Sequence, residues 1–386
     1  MNSLLKAASG IAAAIPKHST ANAAIGLSGV RFASSKPMKK KLDQKPNSRV
    51  VFISQSTNVH ANLAFEDWMY RNWSFENRNV LFLWRNDPCV VIGRHQVPYV
   101  EANLPYLESA GVPVVRRNSG GGTVYHDQGN LNATFFTARD RYNRRDNLEV
   151  ICKALQEDFN IQAEINSRDD IIVGGDYKIS GTAAKLGRTT AYHHCTVLVG
   201  ADKKQLSLAL KGDKSIITNA TESVPAPVMN LRDVSDNISV ESLLGSLGRK
   251  YLALPTAESC LSRGGSNGFT LINPTPDWFP GLGELQEELS SWEGLHGRSP
   301  RFSITRSITL PNCLVPNTKI DATIKVYHGI IEEVTFSDGG CPDLAEITQD
   351  VSQVFKGMQY TPEVFRDMVN GMRVPQKQKL QSSYGI

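Results

Sequence analysis

Three consecutive glycines at positions 120–122 constrain the fold of this chain more than any other feature of its sequence. An apolar run over 112–115 and two arginines, Arg116 and Arg117, precede them, and a second strand-like run begins at Thr123. Adjacent glycines cost backbone entropy, so we expect them where the chain needs positive φ or where main chain approaches another group closely. The glycine loop, residues 119–122, can offer main-chain N–H groups to an anionic ligand, and the arginines can add guanidinium donors.

This loop matches neither of two common nucleotide-binding motifs. No Lys-Ser or Lys-Thr pair follows the glycines, as a Walker loop requires, and a strand follows them where the dinucleotide G-x-G-x-x-G pattern needs a helix. The glycines alone therefore leave two interpretations open, an anion-binding loop and a flexible hairpin turn.

A second hairpin is predicted in the segment RDDIIVGGDYKISGTAAK, residues 168–185, where two apolar runs flank Gly174 and Gly175. If these two glycines form the loop, Ile171 lies opposite Lys178. Lys178 is then displayed on a rigid strand, beside small residues that leave room for a ligand. A single lysine in a hairpin is more often solvated, so this candidate depends on its association with the glycine loop.

The same register predicts which way each side chain of the hairpin points, because successive residues of a strand face opposite sides. Asp169 is predicted opposite Ser180, on the face of Lys178. Tyr177 and Ile179 are predicted to point into a core.

Three segments contain the glycine loop, the lysine hairpin and the strand that follows: RRNSGGGTVYHD (116–127), KISGTAAK (178–185) and GRTTAYHHCTVLV (187–199). Together they closely resemble the lipoate-protein ligases, and most closely their animal mitochondrial relatives, the lipoyltransferases. Further segments resemble the family in the same order: NLAFEDWMY (62–70), VVIGRHQ (90–96) and NATESVPAPVMNL (219–231). The resemblance runs from about residue 50 to the end and weakens after residue 235. Biotin ligases and octanoyltransferases share the fold but not this combination of segments.

The resemblance implies an α/β (α+β) fold. We expect a large catalytic domain of the biotin- and lipoate-ligase type, with mixed sheets and flanking helices, over 49–280, and a small C-terminal α+β accessory domain over 288–386. A length of 386 residues suits a large domain followed by a smaller one. The Pro- and Gly-rich stretch 273–283 is the predicted linker.

Residues 1–48 are predicted to be a mitochondrial transit peptide with a disordered, lysine-rich lead-in. The first 36 residues combine Ala, Ser, Lys and Arg and lack Asp and Glu, as transit peptides do. A secretory signal is the competing interpretation, but the apolar stretch 10–15 is short and lysines recur through the segment. We therefore expect the protein in the mitochondrial matrix.

Charge and cysteine usage exclude several classes of partner. The first 50 residues hold nine Lys and Arg and one acid, so a chain total of +4 leaves 33 basic against 37 acidic residues in the body. This balance gives no support for nucleic-acid binding, and no apolar run approaches the ~20 residues of a membrane span. Six cysteines lie scattered without metal-ligand spacing, so we predict no metal site.

Cys195 is the one cysteine with a plausible chemical neighbour, His194. A Cys-His nucleophile would imply a covalent acyl-enzyme, which is the octanoyltransferase mechanism. The apolar sequence TVLV that follows predicts a buried strand, in which a free cysteine is usually a small hydrophobe. We expect His193 and His194 to brace the Lys178 hairpin by hydrogen bonds.

The resemblance implies a lipoyltransferase, an acyltransferase that moves a lipoyl group from lipoyl-AMP to the ε-amine of a lysine on a lipoyl domain. The acceptors that it implies are the acyltransferase subunits of 2-oxoacid dehydrogenases and the glycine-cleavage H protein. Lipoyl-AMP is an activated anhydride, so the protein mainly positions it and stabilises charge. We expect no tightly bound cofactor, a monomer, and no nucleic-acid or membrane partner.

The resemblance also assigns the site. Lys178 is implied to be catalytic, holding the acyl carbonyl and phosphate oxygens through the tetrahedral state. The lipoyl and acyl-phosphate part is implied to contact Arg117, Gly120, Gly121, Gly122 and Tyr125. The adenylate is implied to contact Thr196, Thr221 and Ser223. Arg168 is carried over as well, although the register predicted above turns it away from Lys178.

The first alternative function is a complete lipoate-protein ligase, which would form lipoyl-AMP itself from Mg-ATP. Bacterial ligases carry an arginine in an S-R-V-x-N-L type sequence of the adenylate loop, and the corresponding TESVPAPVMNL lacks it. Losing a cation that stabilises pyrophosphate weakens activation more than transfer, which favours the transferase. An octanoyltransferase and an inactive lipoyl-domain-binding module are further alternatives, and the intact Lys178 and glycine loop argue against the module.

Overall fold

A six-stranded mixed sheet forms the centre of the computed structural model, which describes residues 48–256, 268–310, 319–337 and 345–372. The strands are β1 (Ser48–Ser54), β2 (Arg78–Trp84), β3 (Cys89–Ile92), β4 (Val114–Arg116), β5 (Val124–His126), β6 (Asn130–Ala138), β7 (Ala163–Ile165), β8 (Ile171–Val173), β9 (Tyr177–Lys178), β10 (Thr182–Leu186), β11 (Thr190–Leu198), β12 (Ile217–Thr218), β13 (Gly268–Ile272), β14 (Phe302–Thr309), β15 (Lys319–Tyr327) and β16 (Ile330–Phe336). The helices are α1 (Val59–Asn72), α2 (Pro98–Glu101), α3 (Leu104–Ser109), α4 (Arg144–Phe159), α5 (Lys203–Ala209), α6 (Val240–Leu252), α7 (Leu282–Ser290), α8 (Trp292–Leu295), α9 (Ala345–Phe355) and α10 (Val364–Met372).

The central sheet has the strand order β10-β11-β6-β2-β1-β13. Strand β1 runs parallel to β2 and β13, and the other neighbours are antiparallel. Successive side chains of a strand point to opposite faces, so Leu81 and Leu83 of β2 enter one core, whereas Val80 and Phe82 enter another. Both faces of the sheet are therefore apolar and must be covered.

Two layers supply that cover. Helices α4 and α6 pack on one face with the small sheet β7-β8-β9, and α1 and α7 pack on the other beside the sheet β4-β3-β5. The N-terminus of α1 is capped by Asn58, whose side chain accepts a hydrogen bond from the Ala61 N–H. Leu63, Trp68 and Met69 of α1 are buried. The predicted α/β fold with mixed sheets and flanking helices is confirmed.

The C-terminal part contains a separate antiparallel sheet, β12-β14-β15-β16, which packs with α9 and α10. A hairpin around His328 and Gly329 joins β15 to β16, and both residues have positive φ. Strand β12 comes from the region predicted as catalytic domain, yet it pairs with β14. The domain boundaries stay predictions, and the predicted transit peptide and lead-in lie outside the described residues except for Ser48.

The stretch 273–283, predicted as a linker, contributes to the core of the catalytic part. Phe279 is buried, with its ring centroid 4.8 Å from that of Phe65. The indole Nε1 of Trp68 donates a hydrogen bond to the Pro280 carbonyl oxygen at 2.9 Å. Helix α7 follows and packs on α1, so the layers of the catalytic part continue beyond this stretch.

Candidate active site

A cavity of about 320 Å³ lies between the glycine loop, the hairpin β8–β9 and the loop 219–224. Most of the site residues predicted from the sequence line it: Arg117, Gly121, Gly122, Arg168, Lys178, Thr196, Thr221 and Ser223. Part of its wall is apolar and is formed by Leu63, Trp84, Val91 and Val124. The structure therefore brings the two sequence signals, the glycine loop and Lys178, to one cavity.

Arg117 holds the glycine loop in shape. Its Nε donates to Ser119 Oγ at 2.9 Å, and its Nη2 donates to the carbonyl oxygens of Gly120 and Gly122 at 2.6 and 2.7 Å. Its Nη1 donates to the Val91 carbonyl oxygen at 3.1 Å. Burial lowers the pKa of Arg117 to about 10, which still leaves the guanidinium charged at neutral pH. Most of its donors therefore fix protein backbone, which leaves little for the anion contact that we expected.

Arg116 does not face the cavity, so the expectation that both arginines offer donors to an anion is wrong for this residue. Its guanidinium is buried, and it donates to the carbonyl oxygens of Gln96 at 2.7 Å and Leu295 at 2.6 Å and to Ser299 Oγ at 3.0 Å. Arg116 thus joins β4 to the segment that precedes the C-terminal sheet.

Close backbone contact explains two of the glycines. Gly121 has a φ of +82°, in the left-handed region that favours glycine. Gly93 lies directly against it, and a Cβ atom on Gly93 would stand 2.0 Å from the Gly121 carbonyl oxygen. Sequence reasoning expected this close approach at the glycine triplet but did not select Gly93 as its partner.

Lys178 lies in the predicted hairpin, but the strand register differs from the prediction by one residue. Ile172, and not Ile171, pairs with Lys178, and Val173 pairs with Tyr177. The loop therefore spans three residues, 174–176, where two were predicted. A shift of one residue exchanges the two faces of a strand, so the face assignments made from the sequence change with it.

The observed register brings Arg168 to the cavity together with Lys178, so the prediction that Arg168 faces away is wrong. Asp170, and not Asp169, shares the cavity with Lys178. Tyr177 is 44% exposed and does not enter a core, whereas Ile179 is buried as expected. An extra loop residue, Asp176, accounts for the positions of Arg168 and Asp170 beside Lys178.

Asp170 is the partner of Lys178, and sequence reasoning did not select it. Its Oδ1 lies 2.8 Å from Lys178 Nζ, and both side chains are largely buried. A turn at Asn166 orients the Asp170 side chain. The Asn166 side-chain oxygen accepts hydrogen bonds from the N–H groups of Arg168 at 2.9 Å and Asp170 at 3.0 Å. Asp169 between them has a φ of +60°, an uncommon conformation outside glycine.

Ser223 fastens the loop 219–224 over the glycine loop. Its Oγ accepts hydrogen bonds from the Thr123 N–H at 2.8 Å and from Gln96 Nε2 at 3.2 Å, and it donates to the buried carboxylate of Glu101. Thr221 also lines the cavity. The predicted adenylate residues therefore all line the cavity, but the Ser223 hydroxyl is already bonded to the protein.

The same loop continues into a backbone connection with the Lys178 strand. The Lys178 N–H donates to the Pro227 carbonyl oxygen at 2.9 Å, and the Met229 N–H donates to the Lys178 carbonyl oxygen at 3.1 Å. The segment 219–229 therefore bridges the glycine-loop wall and the Lys178 wall of the cavity.

Two predicted site residues lie outside the cavity. Tyr125 is buried in a separate cluster with Val90 and Leu107, on the far side of the sheet β4-β3-β5, because strand alternation gives the cavity position to Val124. The prediction that Tyr125 lines the pocket is therefore wrong. Gly120 does not line the cavity either, and its carbonyl oxygen accepts a hydrogen bond from Arg117.

The two histidines do not brace the Lys178 hairpin. His194 faces the cavity, with Nδ1 2.8 Å from Glu66 Oε2 and Nε2 2.9 Å from Ser119 Oγ. His193 points into the opposite core, stacked on Phe135. The expected brace is wrong because the hydrogen bonds of His194 join the glycine loop to α1.

Cys195 has the environment of a structural cysteine. It is 2% exposed, and its Sγ lies 3.7 Å from the Ala133 carbonyl oxygen. Burial raises the pKa of the thiol to about 12, so the nucleophilic thiolate is disfavoured at neutral pH.

The cavity has the chemistry to bind an amphiphilic anion. Its apolar side chains suit a hydrocarbon tail, and its basic side chains, Arg144, Arg168 and Lys178, can neutralise an acidic group. Within the described residues, no group of three or more His, Cys, Asp or Glu side chains is placed to hold a metal ion.

Comparison with known proteins agrees with this chemistry. Residues 58–250 match the family model described as the lipoyl protein ligase A/B catalytic domain. The chain is 38% identical to the mitochondrial lipoyl amidotransferase LIPT1 of Homo sapiens, over 87% of this chain and 89% of the relative. It is 32% identical to lipoate-protein ligase A of Bdellovibrio bacteriovorus, over 84% of this chain and 92% of the relative. The crystal structure of P. falciparum LipL1 in complex with lipoate matches with a TM-score of 0.56 and 26% identity, covering 88% of this chain and 98% of that chain.

Proposed function

This chain belongs to the lipoate-protein ligase family, and we propose that it transfers a lipoyl group from lipoyl-AMP to the ε-amine of a lysine on a lipoyl domain. It is a lipoyltransferase of protein lipoylation, an acyltransferase like the relatives with which it shares most of its length. The observation that carries the choice of substrate is the position of Lys178 in one cavity with an apolar wall and with the glycine loop.

The donor would lie along the cavity with its ends in different surroundings. Its tail would contact the apolar wall of Leu63, Trp84 and Val124, and its phosphate would lie near Lys178 and Arg168. An acyl-phosphate anhydride is reactive without an enzyme nucleophile, so the main task of the site is to align the acyl carbon and to stabilise the charge that develops. The buried thiol of Cys195 agrees with transfer that has no covalent enzyme intermediate.

The transfer step follows from these contacts. The neutral ε-amine of the acceptor attacks the acyl carbon, a C–N bond forms, and the carbonyl oxygen becomes an oxyanion. The ammonium of Lys178 stabilises this oxyanion and the phosphate oxygens. The C–O bond to the phosphate then breaks, its electron pair leaves with AMP, and the nitrogen gives up a proton to solvent as the amide forms. Asp170, 2.8 Å from Lys178 Nζ, orients the ammonium before the donor arrives.

The complete-ligase alternative has one specific observation in its favour. Arg144 and Arg168 line the cavity and can neutralise a polyphosphate, although the segment TESVPAPVMNL lacks an arginine. The basic residues that flank this segment are engaged elsewhere: Lys214 Nζ donates to the Val100 carbonyl oxygen at 3.3 Å, and Arg232 Nε donates to that of Ile238 at 3.4 Å. The transferase therefore remains the better-supported function.

One experiment separates these functions. The purified chain is incubated with an apo lipoyl domain and either lipoyl-AMP or lipoate with Mg-ATP, and the acceptor is weighed by mass spectrometry. We expect acceptor modification from lipoyl-AMP and little lipoate-dependent ATP–pyrophosphate exchange. Robust exchange would establish the ligase, and a lipoyl thioester trapped on Cys195 would establish the octanoyltransferase class. Binding of the acceptor without transfer would support the third alternative, an inactive lipoyl-domain-binding module.

The setting and partners are proposed on the same basis. The human relative is named as mitochondrial, and we place this chain in the mitochondrion, with the matrix as its compartment. Its acceptors would be the acyltransferase subunits of 2-oxoacid dehydrogenases and the glycine-cleavage H protein. It would act as a monomer without a tightly bound cofactor. Fractionation of mitochondria and lipoylation assays with each acceptor test these assignments.

A further inference from the structure

A buried chain of hydrogen bonds joins helix α1 to the glycine loop behind the cavity wall. Glu66 Oε2 accepts hydrogen bonds from His194 Nδ1 and from Thr134 Oγ1, both at 2.8 Å. His194 Nε2 lies 2.9 Å from Ser119 Oγ, which in turn accepts a hydrogen bond from Arg117 Nε at 2.9 Å. Glu66 and Ser119 are 2% and 1% exposed, so His194 and Arg117 are the members that reach the cavity.

The hydrogen bonds of this chain all run in one direction. The guanidinium of Arg117 can only donate, and the carboxylate of Glu66 can only accept. In the neutral imidazole, the Nδ1–H group of His194 therefore donates a hydrogen bond to Glu66, and Nε2 accepts one from the Ser119 hydroxyl. The anion of Glu66 thus determines how His194 and the Ser119 hydroxyl are oriented.

The chain also connects two buried charges of opposite sign. Burial favours a raised pKa for Glu66, but the electrostatic interaction with His194 and the hydrogen bonds from His194, Thr134 and Tyr192 outweigh it and lower the pKa. Glu66 is therefore an anion at neutral pH. Burial lowers the pKa of Arg117, and the charge of Glu66 counteracts this effect. Neutralising Glu66 leaves the buried Arg117 without that compensation.

We propose that Glu66 is a positioning residue for lipoyl transfer, which acts through His194 and Ser119 to hold the glycine loop in the shape that receives the acyl-phosphate. This inference rests on the function proposed above. The Ser119 hydroxyl anchors the first residue of the loop, while Arg117 anchors the carbonyl groups of the glycines. A displacement of the loop by about 1 Å can lower the rate of transfer by about 100-fold.

The neighbouring residue Asp67 is a matched control. It is also a buried acid of α1, but it binds Lys185 Nζ at 2.6 Å and Arg71 Nη2 at 2.5 Å, and it does not line the cavity. Asp67→Asn and Glu66→Gln make the same chemical change one residue apart. Only the second change touches the chain to Ser119.

A double-mutant cycle tests whether Glu66 acts through Ser119. We expect Glu66→Gln and Ser119→Ala each to lower kcat of transfer from lipoyl-AMP by about 10- to 100-fold, with KM for the acceptor domain unchanged. The double variant should lie within about twofold of the worse single variant, because both remove the same anchor. The effects of Asp67→Asn and Ser119→Ala should instead multiply. Multiplying effects for Glu66→Gln and Ser119→Ala would overturn the proposal.

Amide hydrogen exchange of residues 119–123 separates this proposal from the proposed function. We expect faster exchange in Glu66→Gln and Ser119→Ala than in wild type or Asp67→Asn, whether or not the chain transfers lipoyl groups. Faster exchange in both variants, together with no transfer by the wild-type chain, would overturn the function and keep the positioning role of Glu66 in the loop. Unchanged exchange in both variants would overturn the positioning role. If Glu66→Gln does not fold, His194→Asn with Ser119→Ala completes the same cycle.

Discussion

The two walls of the cavity are built differently. On the glycine-loop wall, Arg117 and Ser119 are 4% and 1% exposed, and their polar atoms are bonded to other protein groups. On the opposite wall, the Lys178 side chain is 23% exposed, and Val224 of the adjoining loop is 59% exposed. The first wall is already in a fixed shape before any ligand arrives, whereas the second has groups that remain accessible.

This difference suits an acyl transfer. A transition-state oxyanion gains most from donors that need no rearrangement when charge develops, and buried hydrogen-bonded backbone supplies that rigidity. The acceptor lysine must enter from outside, and it needs a side of the cavity where groups can move. We therefore expect the removal of Arg117 from the first wall to reduce the free energy of unfolding most, whereas substitutions in the second wall should reduce the rate of transfer with little loss of stability.

The largest effect is expected for Arg117→Met. This change removes donors to Ser119, Gly120 and Gly122 and leaves buried acceptors without partners, so we expect the free energy of unfolding to fall by about 3–5 kcal/mol. Arg168→Met on the exposed wall is the control and should change it by less than about 0.5 kcal/mol. Urea unfolding monitored by circular dichroism measures both, and equal losses would contradict the difference between the walls.

Lys178→Ala is expected to fold normally and to lose lipoyl transfer by about 10²- to 10³-fold, the usual cost of removing one preorganised charge donor. Cys195→Ser should stay within a few-fold of wild type, since its thiol has a raised pKa and is buried. Single-turnover transfer from lipoyl-AMP measures the rates. The reverse ranking would show that the chemistry runs through the thiol.

Acid should weaken the glycine-loop wall through His126, which also lines the cavity. Burial, followed by the charges of Arg117 and His194, lowers the pKa of His126 from 6.5 to about 3. In the unfolded chain the imidazole of His126 binds a proton near pH 6.5, whereas in the folded chain it stays neutral until the pH is far lower. The contribution of His126 to the free energy of unfolding is therefore fully present above pH 6.5 and is lost as pH falls. We expect a loss of about 2 kcal/mol from this group between pH 6.5 and 5.

Unfolding curves at these two pH values check this expectation in wild type and in His126→Gln. The pH-dependent loss of unfolding free energy should be about 2 kcal/mol smaller in the variant than in wild type. An equal pH-dependent loss in both proteins would mean that other buried histidines, such as His193, carry the effect.

Asp170→Asn tests the accessible wall with a smaller expected effect than Lys178→Ala. The change keeps the shape of the side chain but removes the charge that holds Lys178 Nζ at 2.8 Å, so we expect kcat to fall about tenfold with little change in stability. Asp169→Asn is the neighbouring control, since its carboxylate pairs with Arg144 at 3.4 Å. Equal rates in the two variants would show that Asp170 does not orient Lys178.

The sequence predicted local features of this site better than its long-range contacts. The glycine loop, Lys178 and the strands around them follow from residue types that recur within a few positions. The hairpin register was missed because Gly174 and Gly175 both adopt positive φ, as a two-residue loop allows, yet Asp176 joins the loop. Such a choice depends on how Ile171 and Ile179 pack in the core, which local sequence does not report.

Other parts of the site depend on contacts between distant residues. Glu66 and His194 are 128 positions apart, and no spacing pattern links them. Their contact exists because α1 packs across the sheet that contains β11. The inward direction of Asp170 depends in turn on a non-glycine residue with positive φ, Asp169, which residue preferences alone do not predict.

The smallest effect is expected for Tyr125→Phe, and it tests how far the cavity wall extends. Tyr125 lies behind the wall in a cluster with Val90 and Leu107, so loss of its hydroxyl should leave the transfer rate within about twofold of wild type. Val124→Ala changes the adjacent residue, whose side chain does line the cavity, and should raise KM for lipoyl-AMP about fivefold through lost apolar contact. Steady-state kinetics with varied lipoyl-AMP compares the two variants. A large effect of Tyr125→Phe would place the phenol at the substrate, as the family resemblance first implied, and would require the sheet β4-β3-β5 to rearrange when the donor binds.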